Sequence, residues 1–155
     1  MSGDAGAGAG NLALQTSGLH ATAVAFGDTR GVMLIGASGS GKSALALQLM
    51  ALGARLVADD RCLLKRDGPN LVAHAPPALS GLIEARGVGL IRVAALAEAA
   101  LVLVIDMDQV EQHRLPPPRS RSWLGIALPL LHKVEGGHFP AAIVHYIRSV
   151  TLEPR

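Results

Sequence analysis

Apolar and polar positions along the chain change period several times, and the changes mark elements. Residues 12–26 alternate in places and are rich in strand formers such as Thr22, Val24 and Phe26; the segment Gly27-Asp28-Thr29-Arg30-Gly31 then turns into a four-residue apolar run at 32–35. That pattern predicts a β-hairpin with a longer loop. Residues 42–52 carry apolar side chains at helical spacing (Leu45, Leu47, Leu49, Met50, Leu52), and Gly53 follows as a C-terminal stop. Leu56-Val57-Ala58 reads as a short buried strand. A second hairpin is expected from Cys62 to His74, turning at Asp67-Gly68-Pro69-Asn70, before Pro76 and Pro77 interrupt the chain. Short helices are expected at 78–83 and 94–99, with a strand or strand end at 90–93. The continuous run Ala100-Leu101-Val102-Leu103-Val104-Ile105, ended by Asp106, predicts a core strand. Residues 107–122 are polar and contain Pro116-Pro117-Pro118, so an exposed, mobile loop is expected. A strand at 123–134, a turn at Gly136-Gly137 and an amphipathic helix from Phe139 to Val150, with Pro140 in its first turn, complete the pattern. Residues 1–10 are a Gly/Ala tail expected to be disordered, which leaves 11–155 as one domain.

One junction in that pattern carries chemistry. The apolar run 32–35 leads into Gly36-Ala37-Ser38-Gly39-Ser40-Gly41-Lys42-Ser43, and a helical pattern follows at once. This is G-x-x-x-x-G-K-[ST] in its strand–loop–helix setting, a phosphate-binding P-loop. The glycines let backbone N–H groups approach phosphate oxygens. Lys42 brings a cation to the β- and γ-phosphates, the Ser43 hydroxyl can ligate Mg²⁺, and the helix start turns its positive end to the same anion. Asp59-Asp60 closes the next strand, where phosphoryl transfer needs one carboxylate as a Mg²⁺ partner and another as a base or water-positioning group. Taken as residues alone, the pair also fits an acidic turn, His20 fits a strand histidine with one hydrogen bond, and Glu84-Ala85-Arg86-Gly87 fits a salt-bridged surface turn.

Composition narrows the options. Fourteen basic residues face twelve acidic ones, a net charge of +2, and the cations are dispersed except for Arg114, Arg119 and Arg121. This gives no footprint for nucleic acid. Aromatics make up 3% of the chain, so bases have few rings to stack on. Cys62 is the single cysteine, which excludes an intramolecular disulfide and a multi-cysteine metal site. No stretch reaches the length of a membrane span and no secretory leader is visible, so a soluble cytoplasmic protein is expected, where ATP and Mg²⁺ are available.

Several stretches, in this order, resemble the catalytic domain of the bacterial HPr kinase/phosphorylase family. They are Leu19-His20-Ala21-Thr22-Ala23-Val24, the loop 36–43, Arg55-Leu56-Val57-Ala58-Asp59-Asp60, Ala75-Pro76-Pro77, and Ile83-Glu84-Ala85-Arg86-Gly87-Val88-Gly89-Leu90-Ile91. The last is the most diagnostic, and the match thins beyond Val93. The resemblance implies an α/β fold, a P-loop kinase core with a mixed central β-sheet of the HPr kinase/PEP carboxykinase-like type, with an N-terminal hairpin and a C-terminal helix. It implies ATP and Mg²⁺ as cofactors, HPr as the protein partner phosphorylated on a serine, reversal by phosphorolysis, and a hexamer. It also implies roles: Asp60 as the catalytic carboxylate, His20 beside it, Lys42 on the phosphates, and Glu84 binding Mg²⁺ with Ser43. Asp59 joins Ser43 and Glu84 as a metal candidate. Arg86 lies in the signature, and Arg114 in His113-Arg114-Leu115 matches a further catalytic arginine. At 155 residues and compressed after Ile105, the chain resembles the short, catalytic-domain-only forms, so the separate N-terminal domain common in the family is not expected in it.

Rival readings are a P-loop small-molecule kinase, a non-catalytic ATP-dependent switch, and a loop that binds inorganic phosphate only. The scarcity of aromatics counts against a nucleoside kinase, and the paired aspartates favour catalysis over a pure switch.

Overall fold

The structure is a computed structural model that describes residues 18–151, the last two by backbone alone. The expected N-terminal tail, the beginning of the first strand segment and the last four residues lie outside them.

The first hairpin forms as expected. Strand β1 (Ala21–Ala25) and strand β2 (Gly31–Ile35) pair antiparallel, with Ala21 opposite Ile35 and Ala25 opposite Gly31. Helix α1 (Lys42–Ala51) follows the glycine loop, and strand β3 (Arg55–Ala58) returns antiparallel to β1. Gly53 stops α1 as expected, with φ of 114° and its N–H bonded to the Met50 carbonyl. Strands β4 (Leu63–Asp67) and β5 (Asn70–His74) form the second hairpin. Strands β6 (Leu82–Ala85) and β7 (Gly89–Arg92) form a separate two-stranded ribbon. The long strand β8 (Glu98–Val110) runs parallel to β2, with Ile35 opposite Asp106. Strand β9 (Ser120–Trp123), strand β10 (Ile126–Lys133) and helix α2 (Phe139–Thr151) complete the described chain. The main sheet runs β3-β1-β2-β8-β10-β9, and β5 joins the start of β8. Parallel pairs (β2–β8, β8–β10) beside antiparallel ones make it the expected mixed sheet.

Both faces of this sheet are covered, which is why its central strands read as continuous apolar runs. Val24, Val32, Leu34, Leu103 and Ile105 face α1 and α2, against Leu45, Leu49, Ile143 and Ile147. Ala21, Ala23, Met33, Val57 and Val104 face the β4–β5 hairpin, against Leu64, Leu71 and Ala73. A register shift between Gly31 and Val32 skips Val102 on β8. It explains why Leu101 and Leu103, two apart, face opposite layers.

Four expectations are corrected. Residues 78–83 do not form a helix. One 3₁₀ turn (Pro77–Leu79) ends at Gly81, whose φ is 76°, and Leu82 already pairs with Arg92. Residues 94–99 do not form a helix either. The Leu56 N–H bonds the Ala94 carbonyl and the Leu96 N–H bonds the Leu56 carbonyl, so edge pairing with β3 overrides the alanine-rich propensity. Residues 107–122 are not one mobile loop: β8 continues to Val110 with Met107 buried between Asp106 and Asp108, and β9 begins at Ser120. The irregular remainder is clamped by Glu111, whose carboxylate meets Arg119 and His113. The Arg119 guanidinium above all, then His113, holds that carboxyl down to about 2. Finally, 123–134 is not one strand. Leu124 and Gly125 both have positive φ, 53° and 80°, a two-residue turn joining β9 to β10. A leucine in place of the usual Asn or Asp hid it.

Two outcomes test this packing. Ile143 on α2 is fully buried, so Ile143→Ala is expected to lower the unfolding free energy by about 2–5 kcal/mol in urea titration. Burial pushes the Cys62 thiol up to about 12. A maleimide at mildly alkaline pH should therefore leave Cys62 unmodified in the folded protein and label it in denaturant.

Candidate active site

The site sits where β1 begins and β2 and β3 end, beside the start of α1. Gly36 is forced by space: a Cβ there would lie 2.7 Å from Ser40 Oγ and 3.2 Å from Met107 Cβ. Gly41 precedes the helix with φ of 103°, and no side chain caps the first turn. The N–H groups opening α1 are therefore left for an anion.

Lys42 is 5% exposed, and among the described residues its charge has no carboxylate partner. Its Nζ donates to the Gly36 and Ala37 carbonyls at 2.7 and 3.0 Å and lies 3.4 Å from His20 Nε2. A buried cation held by carbonyl dipoles and an imidazole nitrogen, without a counter-charge, sits in a field that favours an arriving anion. Ser40 Oγ is also buried with no partner among the described residues.

The two adjacent aspartates have separate partners. Asp59 ends β3 half-buried. Its Oδ1 accepts from Ser43 Oγ at 2.7 Å and from Thr22 Oγ1 at 3.0 Å, and its Oδ2 accepts from the Glu84 N–H at 3.2 Å. Asp60 takes a positive φ of 67°, a conformation aspartate tolerates better than most residues. Its exposed carboxylate meets His20 Nδ1 at 3.0 Å. Lys42 has only hydrogens to offer to His20 Nε2. The contacts therefore fit the tautomer in which Nδ1–H donates to Asp60 and Nε2 accepts.

Of the residues singled out in the sequence, Ser38, Gly39, Gly41, Lys42, Ser43, Asp59, Asp60, Glu84 and Arg86 line one cavity of about 500 Å³. His20 adjoins it through Asp60, Lys42 and Ser38. Gly36, Ala37 and Ser40 form the back of the loop and do not line the cavity. Arg114 is not brought here. It is exposed and lines a different cavity, with Glu111, His113, Leu131, His132 and His138. The continuation of β8 and the Glu111 clamp carry it there.

Sequence reasoning passed over three contributors. Thr22 is fully buried and is the only hydroxyl in an otherwise aliphatic strand, a sign that its hydroxyl has a partner. Asp108 accepts the Ala37 N–H with both oxygens at 3.1 Å, and the Asp106-Met107-Asp108 alternation announced strand rather than loop. Lys133, at the end of β10, donates to the Ser40 carbonyl at 3.4 Å, and nothing in the local sequence marks it. Asp59 bonds the Ser43 hydroxyl, and Asp60 and Glu84 line the same cavity, oxygen donors of the type that suits Mg²⁺; among the described residues no three His, Cys, Asp or Glu side chains are gathered closely enough to form a metal site by themselves.

Comparison with known proteins agrees with this geometry. A protein from Oceanobacillus iheyensis named HPr kinase/phosphorylase 1 is 37% identical over 122 residues, which cover 74% of this chain and 37% of that protein. An HPr kinase/phosphorylase of Lacticaseibacillus casei is 48% identical over 73 residues, 46% of this chain and 23% of that protein. The chain thus spans well under half the length of these curated relatives. A solved structure described as the Hpr(Ser) kinase/phosphatase from Coxiella burnetii superposes with a TM-score of 0.73 at 26% identity, covering 88% of this chain and 97% of that one. The family described as HPr Serine kinase C-terminal domain matches residues 10–114, from before β1 past the end of β8. With the P-loop, the aspartate pair and the β6–β7 signature all inside that match, the chain belongs to the HPr serine kinase C-terminal domain family.

Proposed function

We propose that the chain is an ATP-dependent protein serine kinase, acting on a serine of an HPr-type phosphocarrier protein in a bacterial phosphotransferase regulatory system, and that it runs in reverse as a phosphorylase. A cytoplasmic location and a homo-oligomer, a hexamer by family resemblance, accompany this reading. The observation that carries it is the buried Lys42, without a carboxylate partner, lying between the uncapped start of α1 and the His20–Asp60 pair.

Loop 36–43 and Lys42 hold the β- and γ-phosphates of ATP by N–H groups and charge. Ser43, Glu84 and Asp59 would hold Mg²⁺, which shields phosphate charge when bound. Both aspartates line the cavity, but the two oxygens of Asp59 already accept three hydrogen bonds, whereas Asp60 is exposed. It takes the proton from the acceptor serine hydroxyl as that oxygen bonds to the γ-phosphorus and the bond to ADP breaks. His20 Nδ1–H keeps Asp60 oriented. In reverse, inorganic phosphate attacks phosphoserine and Asp60 returns the proton to the serine oxygen. Positioning and electrostatics supply most of the acceleration. Arg114 has no place in this scheme within one chain, because it lies on another cavity.

Two variants test the scheme with labelled ATP, purified HPr and calorimetric ATP binding. Asp60→Asn should keep ATP affinity and lose about 10²–10⁴-fold in phosphoserine formation. Lys42→Ala should lose ATP affinity and transfer together. Wild-type transfer by Asp60→Asn would remove the base assignment. Wild-type protein that binds ATP but leaves HPr unlabelled would favour the switch reading.

A further inference from the structure

The glycine loop is gripped from outside its cavity by two side chains of opposite charge. Asp108 takes the Ala37 N–H with both oxygens, and Lys133 donates to the Ser40 carbonyl at 3.4 Å. Neither side chain lines the cavity that Gly41, Lys42 and Ser43 line. We propose that Lys133 is a positioning residue of the nucleotide site: by holding the Ser40 carbonyl away from the cavity, it turns the Gly41 N–H toward the bound phosphate. The inference rests on the nucleotide reading above and adds to it a cation that lies outside the loop motif.

Direction follows from the planarity of the peptide. In a trans peptide the C=O and the following N–H point opposite ways. A Ser40 carbonyl drawn back to Lys133 leaves the Gly41 N–H facing forward, and Gly41 lines the cavity. The same rule acts in the reverse sense at the other end of the loop. With the Ala37 N–H drawn to Asp108, the Gly36 carbonyl faces Lys42 Nζ and accepts from it at 2.7 Å. Lys133 has no competing task. It is half-buried, and among the described residues its ammonium has no carboxylate partner and no other hydrogen bond. Among the same residues no other group donates to the Ser40 carbonyl. An irregularity in the sheet brings Lys133 there. His132 pairs with Asp106, but the next residue, Lys133, pairs with Val110, so Met107, Asp108 and Gln109 have no partner on β10. Just past this shift the Glu111 N–H bonds the Lys133 backbone carbonyl at 2.8 Å. Bulges re-aim side chains, and this one delivers both Asp108 and Lys133 to the loop. The Lys133 ammonium lies 3.9 Å from where a Cβ on Gly41 would sit.

Binding of ATP and of inorganic tripolyphosphate is measured by calorimetry for wild type, Lys133→Met and Lys133→Arg. The Gly41 amide proton is followed by NMR in the same titrations, and the amides of the core strands report folding. Lys133→Met keeps an apolar stem and removes the donor. It should weaken both ligands by about tenfold, because the loop holds phosphate in each. It should also lose most of the shift that saturating ligand produces at the Gly41 amide. Lys133→Arg, which keeps a charged donor, should retain both affinity and shift. Should Lys133→Met not fold, Lys133→Gln, whose shorter side chain falls short of the loop, is read in its place. The role is overturned if the folded variant binds both ligands as wild type does, or if Lys133→Arg is as weak as Lys133→Met. A weakened variant with the full Gly41 shift at saturation also overturns it, since the charge would then act without turning the peptide. Wild type that binds neither ligand overturns the nucleotide reading itself, and the role of Lys133 with it.

Discussion

A single carboxylate, that of Asp59, joins the pieces of the site. Three segments distant in sequence end on it: the Thr22 hydroxyl from β1, the Ser43 hydroxyl from the start of α1, and the Glu84 N–H from β6. The Thr22 hydroxyl also receives the Asp60 N–H at 3.3 Å. Partly buried, charge-assisted hydrogen bonds of this kind are stronger than neutral ones. Here they tie the ribbon that carries the signature to the helix that carries the phosphate loop. Without Asp59, the β6–β7 ribbon would keep its own ladder and lose its polar tie to the P-loop.

The same arrangement separates two roles that adjacency alone leaves undivided. Successive aspartates at a strand end would repel each other if they shared a site. A left-handed turn at Asp60, directly after Asp59, sends one side chain to the loop and the other to His20. The Asp59 carboxylate is engaged by three hydrogen bonds, while that of Asp60 is exposed. His20 touches Asp60, Ser38 and Lys42, so it bridges the exposed carboxylate and the glycine loop. Asp108 and Lys133 brace the loop from behind, one on the Ala37 N–H and one on the Ser40 carbonyl.

Much of this was legible in the sequence, and the exceptions have physical causes. The strand–loop–helix unit, both early hairpins, the core strand and the C-terminal helix follow from local periodicity and glycine placement, which govern short-range structure. The failures lie where tertiary pairing decides. The segment 94–99 looks helical because alanine favours helices, but the free edge of β3 takes it as a partner. The Leu124-Gly125 turn lacks its usual residue, so two strands read as one. Within the site, most residues named by motif or resemblance line one cavity or, like His20, adjoin it, whereas Arg114, drawn from the stretch where the resemblance thins, lies on another. Lys133 reaches the loop only because β8 and β10 are parallel neighbours, and no local pattern encodes that.

The claim that Asp59 holds the Ser43 hydroxyl and the Glu84 backbone together, where the proposed function puts Mg²⁺, is open to a direct measurement. ATP affinity of wild type and Asp59→Asn is measured with and without Mg²⁺, with hydrogen exchange confirming that both are folded. The account predicts that Mg²⁺ tightens ATP binding to wild type and gives Asp59→Asn little or no such gain, while affinity without Mg²⁺ is retained. An undiminished Mg²⁺ effect in folded Asp59→Asn would contradict it.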